Sequence, residues 1–99
     1  MRYLKLHDVC VSLRVDEELL DSLVSEGLIE VKHTLDDDVV ISFDDAERLR
    51  VGAMLVREME VNLAGVEIIL HMREELVAMQ RQFHEILETV AEEVRKRLD

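Results

Sequence analysis

The C-terminal third of the chain has the most regular hydrophobic pattern. From Asn62 onward apolar residues recur at steps of three or four positions, with no Pro, which predicts one long helix. The pattern holds for about three heptads, as in the a/d seam of a coiled coil. The seam consists of Ile69, Met72, Leu76, Met79, Phe83, Ile86 and Val90. A second apolar row widens this stripe, and it comprises Val66, Leu70, Val77, Leu87, Val94 and Leu98.

The preceding residues are too few to cover so wide a stripe on a projecting helix. We therefore expect a homodimer that uses the seven seam residues, in a parallel or an antiparallel sense. The alternative is a compact monomer in which the helix folds back on its own head.

The first part of the chain consists of shorter predicted elements. Residues 3–6 form a β-prone run, and a first short helix is expected over about residues 7–12. After a tight connection, Asp16 is a suitable N-cap for a second helix that ends at Gly27, a common helix-stop residue. Two short helices joined by a tight turn indicate a helix-turn-helix unit.

A hairpin and a third helix are predicted next. Leu28–Lys32 and Val39–Ser42 are β-prone runs joined by a tip that contains three consecutive Asp residues, as in the wing of a winged helix. Ser42 begins a capping sequence for a helix that runs to about Met59. The expected fold is mostly α with a small β wing. A winged helix-turn-helix head over residues 1–61 is followed by a long coiled-coil helix over residues 62–99.

The joint between the two parts carries a distinctive sequence, Asn62-Leu63-Ala64-Gly65 followed by Val-Glu-Ile-Ile-Leu70. Asn62 is a good N-cap, and Gly65 costs about 1 kcal/mol of helix propensity relative to Ala. Such a cost is tolerated where another element must pack close to the backbone. The stretch resembles MerR-type proteins of the CbpM-like chaperone-modulator branch, and HspR-like heat-shock repressors carry a similar sequence. The order of elements also resembles a MerR-like winged head with its dimerising helix.

The distribution of charge bears on which function this resemblance implies. The chain has 23 acidic and 12 basic residues and a formal charge of −11, which opposes the approach of a phosphate backbone. DNA-reading MerR proteins carry basic and aromatic residues on the second helix and basic residues on the wing. Here the segment Asp16–Glu26 has five acids and no base, and no Lys or Arg occurs from His33 to Glu47. A solvated acidic face is the simpler explanation for any one of these acids. Their concentration on both elements favours a basic protein partner.

Resemblance to the CbpM-like branch implies that this partner is the J domain of a DnaJ/CbpA-type co-chaperone, whose stimulation of Hsp70 it inhibits. J domains engage Hsp70 through a Lys- and Arg-rich helix beside a His-Pro-Asp loop. The expected contact surface comprises Asp16, Glu17, Asp21, Asp36, Asp37 and Asp38.

Two alternatives stay open. A DNA-binding transcriptional regulator of HspR-like or general MerR type would need a basic face, for which the candidates are Arg2, Lys5, Arg14, Arg48, Arg50 and Arg57. The other alternative is a structural dimerisation adaptor without affinity for a J domain.

Catalytic and metal-binding motifs are absent from the sequence. The four His residues show no ligand spacing, and no phosphate loop or nucleophile elbow is present, so we expect no enzyme, metal or cofactor. The single Cys10 fits a reducing compartment and is expected to be a small buried residue of the first helix. No leader-like segment and no apolar run of about 20 residues occurs, which predicts a soluble cytoplasmic protein.

Overall fold

The computed structural model describes residues 2–99 and confirms the predicted fold class, a mostly helical chain with a small sheet and a long last helix. Its elements in order are β1 (Tyr3–Lys5), α1 (Leu6–Leu13), α2 (Glu17–Ser25), β2 (Lys32–His33), β3 (Val39–Ser42), α3 (Phe43–Met59) and α4 (Leu63–Leu98).

The three strands form one antiparallel sheet in the order β1-β3-β2. Leu4 lies opposite Ile41 and Lys5 opposite Val40, while Lys32 pairs with Val40 on the other side. Because β3 is central, the strand that leads into α1 lies beside the wing. This pairing brings the end of β1 and the start of α1 close to the wing tip.

Strand β2 is shorter than the sequence predicted. The expected run began at Leu28, but Leu28 and Ile29 are buried core residues that precede the strand. Gly27 has a left-handed φ of 71°, and the Leu28 amide donates to the carbonyl of Leu23. The carbonyl of Leu28 accepts from Arg48 at 2.8 Å. Both backbone groups of Leu28 are therefore used by helices rather than by the sheet.

The N-caps predicted for α2, α3 and α4 are all confirmed. Asp16 accepts from the Leu19 amide at 2.8 Å, Ser42 from Asp45 at 3.0 Å, and Asn62 from Gly65 at 2.8 Å. Each side-chain oxygen thus satisfies a backbone donor that has no partner within its helix.

The core lies where α3 crosses the other elements. Its largest fully buried side chains are Leu23, Ile41, Leu49, Val66 and Leu70. The first two turns of α4 contribute Val66 and Leu70, and no residue of α4 beyond Leu70 is buried. The helix therefore closes the head with its N-terminal end and then projects, so it does not fold back on the head.

The sequence suggested that Gly65 allows another element to pack close to the helix backbone, and the structure shows a different reason for the glycine. A Cβ atom on Gly65 would lie 2.7 Å from Cγ1 of Val61 and 3.3 Å from the capping oxygen of Asn62. The restricted space thus comes from the residues that lead into α4. The glycine makes room for the Asn62 cap to form while Val61 packs against the core.

Gly52 and Gly65 are expected to respond oppositely to replacement by Ala. A Cβ on Gly52 would meet Val66 at 3.6 Å, an ordinary contact, so Gly52→Ala should stabilise the fold by up to about 1 kcal/mol through helix propensity. Gly65→Ala gains the same propensity but must displace the short, stiff side chain of Val61. It should destabilise by about 1 kcal/mol. Urea unfolding of the two variants measures both changes, and a stabilised Gly65→Ala would contradict the crowding at Val61.

Candidate functional site

A groove of about 670 Å³ lies between α1, the N-terminal end of α2 and the wing tip. Its apolar lining comes from all three of these regions and from the turn between the helices. It comprises Leu6, Cys10, Val11, Val15, Leu20 and Val39. Val11 is 63% exposed, so part of this lining lies open to solvent. An exposed apolar depression with charged edges is a common form of protein-binding surface.

Four of the six predicted contact acids line this groove. Asp16 and Glu17 approach it from α2, and Asp37 and Asp38 from the wing tip. Asp21 and Asp36 are exposed on the same two elements but do not line the groove. The fold thus brings together acids that are separated by the whole of α2 and the wing in the sequence.

Local structure explains how these acids are positioned. Asp16 caps α2, and Glu17 in its first turn interacts favourably with the helix dipole. At the wing tip the Thr34 amide donates to the Asp38 carbonyl at 2.8 Å, and the Asp38 amide donates to the Thr34 hydroxyl at 3.2 Å. Asp37 has a left-handed φ of 67°, which Asp tolerates better than most residues. The side chains of Glu17, Asp37 and Asp38 form no hydrogen bond or ion pair with residues 2–99.

Three further groove residues are basic or titratable, and the sequence did not place them there. Lys5, His7 and Arg14 also line the groove, and their side chains have no hydrogen-bond or ion-pair partner among the described residues. Lys5 and Arg14 were candidates only for the alternative DNA-binding face. For Lys5 the missing information was the pairing of β1 with β3, which sets this residue opposite Val40 near the wing tip.

The arginines of α3 are held in contacts within the head. Arg48 donates to the Leu28 carbonyl and forms ion pairs with Glu74 of α4 and, at 3.8 Å, with Asp45. Arg50 Nε donates to Glu47 at 2.9 Å, and this hydrogen bond lowers the pKa of the Glu47 carboxyl and raises the pKa of Arg50. Through its contacts with Leu28 and Glu74, Arg48 connects the segment before the wing to α4.

Arg57 has a separate structural task at the turn of the helix-turn-helix unit. It donates to the carbonyls of Leu13, at 3.0 Å, and of Arg14, whose φ of 55° is left-handed. A guanidinium at the end of α1 satisfies carbonyls that the helix leaves free. Each α3 arginine proposed for a DNA-binding face is thus engaged by the protein itself.

Cys10 is half-buried and lines the groove, whereas the sequence suggested a buried residue. Burial raises the pKa of its thiol, which lowers the thiolate fraction at neutral pH. Residues 2–99 contain no group of three His, Cys, Asp or Glu side chains placed to hold a metal ion. No helix in the same range is long and apolar enough to cross a membrane.

The predicted dimer seam runs along α4. Six of its seven residues are exposed, namely Met72, Leu76, Met79, Phe83, Ile86 and Val90, whereas Ile69 is half-buried and packs against the core of its own head. Leu87, Val94 and Leu98 of the second row are exposed too. The distal part of α4 therefore presents a long apolar stripe without cover in the single chain.

The family model that describes the MerR HTH family regulatory protein matches residues 4–88, which include the head, the groove and most of α4. Comparison with curated proteins and with solved structures gave no match. The matched residues cover far more than half of the chain, and their elements follow the winged helix-turn-helix order. The chain therefore belongs to the MerR HTH regulatory protein family.

Proposed function

We propose that this MerR-family regulatory protein is a chaperone modulator that binds the J domain of a DnaJ/CbpA-type co-chaperone and inhibits its stimulation of Hsp70. The observation that carries the proposal is the groove, where four acids lie beside an apolar lining on the elements that read DNA in other MerR proteins. The contacts of Arg48, Arg50 and Arg57 with other residues of the chain support it further, because each guanidinium already uses part of its donors within the protein.

The two parts of the groove have different roles in this proposal. The acids on α2 and the wing attract the Lys- and Arg-rich helix of a J domain, which raises the association rate and sets its orientation. The apolar lining around Val11 and Leu20 supplies most of the affinity, because burial of apolar side chains dominates the energy of such interfaces. A head bound to that helix excludes Hsp70 by competition for the same surface.

The same proposal includes a homodimer formed through the exposed stripe of α4. Two heads on a common rod would each offer one groove. Neither the groove nor the stripe requires a metal or a cofactor.

Binding to a J domain is expected to weaken by tenfold or more between about 0.05 M and about 0.5 M salt, since exposed charges are screened over this range. Isothermal titration with an isolated J domain at several salt concentrations measures the change. Affinity that does not depend on salt would contradict the electrostatic role of the acids. Titration of Hsp70 ATPase activity with the modulator at fixed co-chaperone concentration tests the inhibition itself.

DNA binding is the outcome that would favour a transcriptional regulator instead. A mobility shift with the DNA upstream of the chain's own gene, at moderate salt, is expected to show no complex. A shifted band together with no affinity for a J domain would overturn the proposed function.

A further inference from the structure

A leucine stands at the tip of the wing, and the rest of the chain covers almost none of it. Leu35 is 107% exposed and is the most exposed large apolar residue among residues 2–99, where Leu98 follows at 81%. Single apolar residues are common on protein surfaces and by themselves indicate no function. The position of Leu35 matters because of the turn that carries it and the charges that follow it.

The turn that carries Leu35 is closed by hydrogen bonds. The Asp37 amide donates to the Thr34 carbonyl at 3.0 Å, and the Thr34 amide donates to the Asp38 carbonyl at 2.8 Å. The Asp38 amide donates to the Thr34 hydroxyl at 3.2 Å. Asp37 adds a left-handed φ of 67°, a conformation that is common after the turn in three-residue hairpin loops. Leu35 is thus presented on a fixed backbone, so its burial by a partner would cost little ordering of the chain.

Three acids follow Leu35 directly, and none of them is neutralised within the described chain. The side chains of Asp36, Asp37 and Asp38 form no hydrogen bond or ion pair with residues 2–99. The nearest base in the sequence is Lys32, which donates to the Tyr3 hydroxyl at 3.0 Å. An apolar side chain bordered by free carboxylates complements an apolar pocket bordered by Lys or Arg.

The wing tip also continues the surface of the groove. Asp37, Asp38 and Val39 line the groove, and Leu35 lies two residues before the first of them without lining the groove itself. The groove is open on this side of the head, since Val11 of its lining is 63% exposed. A partner seated over the groove would therefore meet the wing tip as well.

From these observations we infer that Leu35 is an anchor residue, which inserts into an apolar pocket of the partner while the neighbouring acids meet Lys or Arg at the border of that pocket. The inference rests on the proposed function, because it adds a second contact to the same interface. The groove receives part of the partner, and the partner receives the wing tip. This contact also gives a role to Asp36, which lies next to Leu35 but does not line the groove.

The salt dependence of two variants tests the inference. Leu35→Ala is expected to weaken binding to an isolated J domain about tenfold to fiftyfold, as for the loss of most of a buried leucine side chain. The loss should be similar at about 0.05 M and about 0.5 M salt, because ions screen charges and not apolar burial. Asp36→Asn should weaken binding about twofold to fivefold, as for one exposed ion pair, and only at the lower salt concentration. Isothermal titration calorimetry measures these affinities.

Two further variants serve as controls. Leu35→Met keeps a similar apolar volume and should bind within about threefold of the unaltered chain. Leu98→Ala makes the same deletion at the exposed end of α4, and it should leave the affinity within about twofold. Thermal unfolding followed by circular dichroism is expected to be the same for both Leu35 variants and the unaltered chain, because the rest of the protein does not cover this side chain.

Each outcome separates the inference from the proposed function. Unchanged affinity of Leu35→Ala for the J domain would overturn the inference and leave the proposed function standing, since the groove alone would then carry the binding. An equal loss in Leu98→Ala, or a loss in Leu35→Ala that disappears at the higher salt concentration, would overturn the inference too. Absence of any binding by the unaltered chain would overturn the proposed function and the inference with it.

Discussion

Replacement of Leu76 and Phe83 by Glu is expected to convert the proposed dimer into a monomer. These side chains are 55% and 62% exposed on α4 and lie at the centre of its apolar stripe. Burial of a large apolar side chain contributes about 1.5–3 kcal/mol, and the two positions occur twice in a dimer. The variant loses this contribution and also places four carboxylates in one seam, where like charges repel.

Sedimentation velocity over a range of protein concentrations measures the change. Arg81→Glu is the matched control, since it alters the charge by the same amount at a position that the heptad turns away from the seam. We expect the control to stay dimeric. Unchanged sedimentation of Leu76→Glu/Phe83→Glu would show that α4 does not form the interface.

Leu49→Ala is expected to destabilise the head by about 3 kcal/mol, within the range of 2–5 kcal/mol for deletion of a buried leucine side chain. Leu49 is fully buried on α3 and belongs to the cluster that joins α2, β3 and α4. The loss combines the lost apolar burial with the cavity left among side chains that cannot collapse into it.

Urea unfolding followed by circular dichroism measures this change, and Leu35→Ala is the matched control. Leu35 lies at the wing tip and is fully exposed, so the same chemical change there should cost less than about 0.5 kcal/mol. A cost of less than 1 kcal/mol at Leu49 would contradict its place at the centre of the core.

Local signals in the sequence were sufficient to predict most of the elements. Asp16, Ser42 and Asn62 mark helix starts because a capping side chain acts on backbone groups only a few residues away. The apolar repeat of α4 could be recognised for a similar reason, since neighbouring residues on one face of a helix are only three or four positions apart in the sequence. The predicted seam included Ile69, although the head half-buries this residue.

Features that depend on distant residues were not predictable in the same way. The local sequence around Leu28 is typical of a strand. Only the structure shows that the Leu28 carbonyl accepts a hydrogen bond from Arg48 rather than from a neighbouring strand. The acids of the groove were found from composition, yet the bases Lys5 and Arg14 were not. The place of Lys5 beside the wing follows from a strand pairing between residues far apart in the chain. A single sequence carries no direct record of that pairing.

The hydrogen bonds from Arg57 to Leu13 and Arg14 have a consequence for the order of folding. They close the turn between α1 and α2 with a side chain from the far end of α3, 43 and 44 residues later. Contacts of such long sequence separation form late, because the intervening chain must first be ordered. The helix-turn-helix unit is therefore expected to reach its final geometry only after the third helix has been synthesised, so a nascent chain that stops before Arg57 would present an unfinished groove.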